Sequence, residues 1–236
     1  TMAASRRPLL HHSRGRHRAN KMKLDTTAPL LVVVGAWNPA IFQPQWVATK
    51  VFDHPNGATI NIAQLFSPQN GKQIDYYGDI GISVDAGRLE IFSNNQAVES
   101  VDRSISTMKK IVSLLRHTPI IGLGLNFQFI EDQPVEKLID SFKTGDSMDE
   151  SYEILSKTIT TVMKCDGSDS FQLMRQIVGS KVLVAFNFHW NLQSETQVAD
   201  LNLDAQVKYG ICTDLMRTQF DTEVDGVQQH QFGLGA

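Results

Sequence analysis

Two long stretches of this chain alternate apolar with small or polar side chains, and they restrict the fold more than any other feature. In residues 121–129 the odd positions are apolar, and in residues 182–192 every even position is apolar. Successive side chains of a β-strand point to opposite faces of its sheet. Each stretch is therefore predicted to form a long strand with one face in a core. The aromatic residues of these apolar faces are Phe127, Phe129, Phe186, Phe188 and Trp190.

Shorter patterns predict further strands. The run 30–34 is continuously apolar and ends at Gly35, which indicates a central strand covered on both faces. Residues 80–84 and 88–92 flank an Asp-Ala-Gly turn and predict a hairpin. Residues 158–192 predict a three-stranded meander with turns at 166–167 and 179–180.

Helical periodicity is clearest between Asn95 and Arg116. Apolar residues recur there at steps of three and four, and Pro119 prevents continuation. The pattern predicts a long amphipathic helix over about 95–116. Residues 199–211 fit a strand or a helix; a helix over 203–220 is favoured, because the alternation stops after Ile211 while helical spacing continues to Phe220.

These elements lack regular βα alternation, which predicts an α+β fold with a mainly antiparallel sheet covered on one face by helices. We expect one domain over residues 24–225 and a loose Gly- and Gln-rich tail over 226–236. The segments 125–129 and 186–190 resemble each other. Two similar halves that share a sheet therefore stay open, although convergent strand patterning explains the likeness equally well.

Charge is distributed unevenly along the chain. The sequence has 22 basic and 25 acidic residues, and residues 1–23 contain seven of the basic residues and none of the acidic ones. The acidic remainder disfavours nucleic-acid binding over most of the surface. We expect residues 1–23 to be a flexible basic arm that is a non-native extension, a targeting segment or a nucleic-acid contact. Its arginines are Arg6, Arg7, Arg14, Arg16 and Arg18.

The two cysteines, Cys165 and Cys212, belong to no CxxC pair and no zinc-ligand spacing. A reducing compartment, the cytoplasm, is expected, and whether the two thiols are free stays open. No apolar run approaches the length of a membrane helix, so no membrane partner is expected. Because nucleotide-binding, hydrolase and metal-site motifs are absent, neither a cofactor nor a metal is expected.

The polar faces of the two long strands supply the candidate site. If the strands are neighbours, one surface presents four amides and one imidazole, which donate and accept hydrogen bonds and suit a polar ligand. The alternative is the solvated side of an antiparallel sheet. The candidate ligand-binding residues are Asn126, Gln128, Asn187, His189 and Asn191.

Missing catalytic motifs and long amphipathic strands favour a non-catalytic binding or assembly protein that recognises another polypeptide or forms homo-oligomers. One alternative is an enzyme acting on a polar small molecule or nucleotide, with His189 and the neighbouring amides in its pocket. Another is nucleic-acid contact through the basic arm. No catalytic residue is assigned.

Overall fold

The computed structural model describes residues 21–67, 72–95, 98–143, 155–193 and 195–224. A mainly antiparallel sheet of 11 strands dominates these residues, and a few helices accompany it, so the predicted α+β class is confirmed. The strands are β1 (Lys21–Leu24), β2 (Leu31–Gly35), β3 (Ala63–Ser67), β4 (Lys72–Tyr77), β5 (Ile80–Val84), β6 (Arg88–Ser93), β7 (Ile120–Glu131), β8 (Ser156–Cys165), β9 (Ser168–Val178), β10 (Lys181–Asn191) and β11 (Glu223–Val224).

The strands follow the order β3-β4-β5-β6-β2-β7-β10-β9-β8. Strand β7 is central: β10 pairs with one side of it, and β2 and β1 pair with different parts of its length. The two predicted long strands are thus direct neighbours, with Phe127 opposite Phe186. Among the pairs of the described strands, β1 with β11 is parallel and the others are antiparallel.

Besides a short 3-10 turn over Pro39–Ile41, five helical segments lie between the strands in the described residues. A short segment runs from Pro44–Trp46 (α1) into a π-helical turn over Val47–Val51, and Pro at its first position supplies the fixed φ that a helix start favours. The others are α2 (Val98–Leu114), α3 (Glu136–Asp140), α4 (Glu195–Asp200) and α5 (Ala205–Phe220). Helices α2 and α5 lie within the two predicted helical ranges.

Alternate residues of β7 and β10 form the centre of the core. Phe127, Phe129, Phe186 and Phe188 are at most 1% exposed, and the ring of Tyr209 on α5 contacts Phe127 and Phe129. Helix α2 contacts β2, β5 and β6. The apolar face that alternation predicts therefore packs as expected along most of both strands.

Four details differ from the sequence predictions. Ile121 is 64% exposed, because the β2–β7 register shifts between Val34 and Gly35 and Ile120 is buried instead. Strand β2 lies between β6 and β7 but is not covered on both faces, since Val34 is 36% exposed.

The third difference concerns α5, where Val207 is 63% exposed and Lys208 is 3% exposed. The buried residues of the helix are Ala205, Lys208, Cys212, Met216 and Phe220, so the buried face includes a lysine and leaves out the apolar Val207. The fourth concerns the basic arm, which was expected to extend through residue 23. Residues Lys21–Leu24 form β1, and Met22 is fully buried.

Candidate functional site

The pairing of β7 with β10 brings the predicted polar residues together. Asn126 lies opposite Asn187, and His189 lies opposite Gly124. Gln128 and Asn191 extend the same polar row at its two ends, opposite Ala185 and Gly122. The five predicted residues therefore form a polar row along the sheet. Four of them are partly buried, and Asn191 is exposed.

The amides of this row are largely bonded within the protein. Asn187 Nδ2 donates to Asn126 Oδ1, and Asn126 Nδ2 donates to the Pro29 carbonyl at 3.2 Å. Gln128 Nε2 donates to Asp25 Oδ2 at 2.7 Å. The side chains of β7 thereby hold the connection between β1 and β2 against the sheet. Each of these hydrogen bonds uses a donor or an acceptor that a ligand could otherwise bind.

The paired glycines of β7 make room for side chains of β10. A Cβ at Gly124 would lie 2.9 Å from Asn187 Nδ2, and one at Gly122 would lie 3.1 Å from His189 Cε1. The asparagine and the imidazole therefore lie across the backbone of β7. These two side chains occupy the space that the missing side chains of Gly122 and Gly124 leave.

His189 has a neutral neighbour. Its Nε2 lies 3.3 Å from Asn191 Oδ1, and the nearby carboxylate of Asp169 accepts from the Asn191 backbone N–H. Within the described ranges, no hydrogen bond or ion pair joins the imidazole to a carboxylate that would orient it as a general base. Recognition of a polar ligand by this row stays a prediction.

Reactive groups outside this row differ in burial: Cys212 is 0% exposed, and Tyr209, Arg175 and Cys165 are partly buried. Desolvation raises the pKa of the Cys212 thiol well above its ordinary value, and burial raises the pKa of Tyr209 to about 12. Desolvation also lowers the pKa of Arg175, whose Nη1 donates to the Ser141 carbonyl. Cys165 and Cys212 are both free thiols. In the part of the chain that the structure describes, no group of three or more His, Cys, Asp or Glu could hold a metal ion.

Lys208 is the most deeply buried charged side chain that the sequence analysis missed. Its Nζ lies 5.4 Å from the ring centres of both Phe188 and Trp190, and the described residues provide it with no carboxylate. Aromatic faces attract cations, so two rings of β10 help to accommodate this charge. Nothing in local periodicity distinguishes such a lysine from an exposed one.

A feature that sequence reasoning also missed is the edge at β3. Residues 63–66 of this strand are exposed, with Leu65 at 55% and Phe66 at 68%, and none of the described strands pairs with its outer side. Two open cavities of about 380 and 470 Å³ lie beside the segment that leads into β3. They are lined by Gln43, Pro44, Gln45, Ile60 and Ile62, and by Ile60, Asn61, Ile62, Ala63, Tyr76 and Gly78.

A small apolar cluster lies next to this edge. It consists of Ile74, Tyr76 and Phe92 and is separate from the main core. Gly81 is required there, because a Cβ at that position would lie 2.8 Å from the Tyr76 ring. Tyr76 also lines the larger cavity, so the cluster supports one wall of it.

The opposite end of the sheet is also an edge. Strand β8 is ten residues long, and Thr158, Thr160, Thr161 and Val162 are exposed. Both edges carry apolar residues, and both present strand backbone without a partner among the described strands. Unpaired strand edges are templates for adding another strand.

Comparison with known proteins identifies no relative. No family model, no curated protein and no solved structure matches the chain. No helix of the described residues is long and apolar enough to span a membrane. The arginines predicted for nucleic-acid contact, Arg6 to Arg18, lie outside the described residues, as does the tail 226–236.

Proposed function

We propose that this protein is a non-catalytic binding protein that recognises an extended polypeptide by strand addition at β3. The observation that carries the proposal is the edge itself: exposed Leu65 and Phe66 lie on a strand with an open outer side, next to two cavities. In strand addition, main-chain hydrogen bonds supply affinity and neighbouring pockets select alternate side chains.

The chemistry of the edge defines the ligand class. Strand β3 contains no charged residue, and Ile60 and Ile62 line both cavities. Gln43 and Gln45 also line the smaller cavity, and Tyr76 also lines the larger one. A segment with apolar side chains at alternate positions fits these surfaces, because each apolar side chain leaves water while the peptide backbone pairs with β3.

The arrangement of the helices supports access to this edge. We infer that α2 and α5 lie together on the phenylalanine side of the sheet. Helix α2 contacts β2, β5 and β6, and Tyr209 of α5 contacts the rings of β7. With α2 and α5 on that side, these two helices leave the outer side of β3 open, and the start of α1 borders only one of the cavities.

Selection from a displayed library of random peptides tests the proposal. We expect the selected peptides to share alternating apolar positions. Leu65→Lys and Phe66→Lys should each weaken their binding at least about tenfold, because a lysine on an edge strand opposes pairing. Titration of a labelled selected peptide measures the change.

Val207→Lys is the matched control, since it places the same charge on an exposed apolar position of α5. This variant should bind the selected peptides as the unchanged protein does. Equal binding by the β3 variants and the unchanged protein would contradict recognition at this edge.

A further inference from the structure

An asparagine followed by glycine, Asn56-Gly57, lies in the connection between the π-helical turn and β3. In such a pair the backbone nitrogen of the second residue can attack the side-chain amide of the asparagine. A side chain on the second residue would hinder this approach, and glycine has none. The pair therefore has the covalent structure that favours intramolecular loss of ammonia from the asparagine.

The backbone forms a type II turn at this pair. The Ala58 N–H donates to the Pro55 carbonyl at 3.1 Å, so Asn56 and Gly57 are the two central residues of the turn. Gly57 has a φ of 79°, and the φ of Asn56 is not positive. A type II turn requires this combination and favours glycine as its third residue. The turn is closed by the flanking residues and uses neither of the two reacting groups.

The described part of the protein holds neither reacting group in place. Within the described residues, no hydrogen bond involves the Asn56 side-chain amide or the Gly57 backbone N–H. Both residues are exposed, and nothing lies within 4 Å of the position that a Cβ on Gly57 would occupy. By contrast, the side-chain amides of Asn126 and Asn187 are bonded to each other. The amide of Asn56 is therefore free to rotate toward the nitrogen of Gly57, and water has access to the product.

We propose that Asn56 is a site of spontaneous modification, at which the protein loses ammonia and gains a carboxylate. The backbone nitrogen of Gly57 gives its proton to hydroxide and attacks the side-chain carbonyl carbon of Asn56. A new carbon–nitrogen bond closes a five-membered imide, while the bond from that carbon to Nδ2 breaks. Nδ2 takes a proton from water and leaves as ammonia. A second water molecule then opens the imide at one of its two carbonyl groups, which gives aspartate or isoaspartate.

Either product changes the charge of this connection. The new carboxylate at position 56 joins that of Asp53, which forms an ion pair with Lys110 of α2. Isoaspartate also adds one methylene group to the main chain between the π-helical turn and β3. The reaction needs only the protein and water and does not depend on peptide recognition at β3, so either proposal can fail alone.

Peptide mapping of the folded protein after incubation at mildly alkaline pH tests the site. Tandem mass spectrometry of chymotryptic peptides measures the fraction of each asparagine that has become an acid. Asn61 is the internal comparison, since it is exposed in the same connection but precedes the β-branched Ile62. Asn56 should react at least about tenfold faster than Asn61, and its rate should rise with pH because the Gly57 nitrogen must lose a proton. Asn70, which also precedes a glycine, lies on a separate peptide after cleavage.

The same measurement in urea separates the contribution of the structure from that of the sequence. The rate at Asn56 in the folded protein should lie within about threefold of the rate in the unfolded chain, because the fold holds neither reacting group. Asn56→Gln is the matched control: its amide would have to close a six-membered ring, so position 56 should stay unmodified. Far-UV circular dichroism checks that the protein stays folded during the incubation. An Asn56 that reacts in urea but stays intact in the folded protein would overturn the proposal, and so would equal rates at Asn56 and Asn61.

Discussion

Gly35, at the end of strand β2, lies close to the backbone of Pro119, the residue that precedes β7. A Cβ at this position would overlap the carbonyl oxygen of Pro119 and lie 3.3 Å from Trp37 Nε1. The indole is itself fixed, because Nε1 donates to the Val33 carbonyl at 3.0 Å. Neither neighbour is the end of a flexible side chain, so added volume here must displace backbone.

Gly35→Ala should therefore lower the free energy of unfolding by about 3 kcal/mol, the upper part of the range for overpacking. Gly210→Ala is the control: nothing lies within 4 Å of its Cβ position in α5, and alanine favours a helix interior by roughly 0.5–1 kcal/mol. Urea unfolding of both variants measures the difference. A Gly35→Ala protein as stable as the unchanged protein would show that the backbone near Pro119 can move.

At the scale of elements, a polar network joins the β4–β5 turn to the start of α2. The Asp79 carboxylate accepts from Ser100 Oγ at 2.8 Å and from the Arg103 guanidinium at 2.8 Å. Ser100 Oγ also lies 2.7 Å from Ser93 Oγ, and Ser100 is 2% exposed. The network connects residues about 20 positions apart, and no local sequence pattern indicates it.

Asp79→Ala should cost about 1–3 kcal/mol, because it leaves a buried hydroxyl with fewer partners and removes a charged hydrogen bond. Asp214→Ala removes an exposed ion pair with Arg217 inside α5 and should cost less than about 0.5 kcal/mol. Thermal unfolding followed by circular dichroism compares the two. Equal losses of stability in the two variants would mean that the Asp79 network stabilises the protein no more than an exposed ion pair does.

The elements themselves were predictable where one periodicity extended over many residues. Strands β7 and β10 and helix α2 follow from alternation or helical spacing, because burying one face imposes that pattern on the sequence. Ile121 departs from the pattern because a register shift depends on how β2 pairs. The exposed edge of β3 was not predictable, since neighbour order in a sheet is set by long-range pairing.

The candidate site was also predictable only where local alternation determines it. Alternation placed Asn126 and Asn187 on polar faces, and the pairing of β7 with β10 brought them together. Alternation could not show that the amides of β7 would donate hydrogen bonds to Pro29 and Asp25. The burial of Lys208 was not predicted, because the rings that accommodate it belong to β10, well separated in sequence.

At the scale of the whole molecule, the two edges of the sheet are at opposite ends of the strand order. Strand addition at β3 therefore does not require any change at β8, because no described strand pairs with both edges.

One core connects these ends, which argues against two separately stable halves. The main cluster of buried residues extends from Tyr77 of β4 and Ile80 of β5 to Phe171 of β9 and Phe220 of α5. Trp37 and Trp190 both belong to it, 4% and 5% exposed. Because the same cluster contains both indoles, we expect the described domain to unfold as one cooperative unit.

Single-tryptophan variants test this expectation with local probes. Trp46→Phe/Trp190→Phe keeps Trp37 beside β2, and Trp37→Phe/Trp46→Phe keeps Trp190 in β10. In each variant the fluorescence midpoint in urea should coincide with the midpoint from far-UV circular dichroism, since loss of either region exposes the shared core. Because both midpoints are measured on the same variant, a change in overall stability caused by the substitutions shifts them equally. A Trp190 transition that precedes the loss of dichroism would mean that β8–β10 unfold as a separate unit and that the sheet consists of two thermodynamic halves.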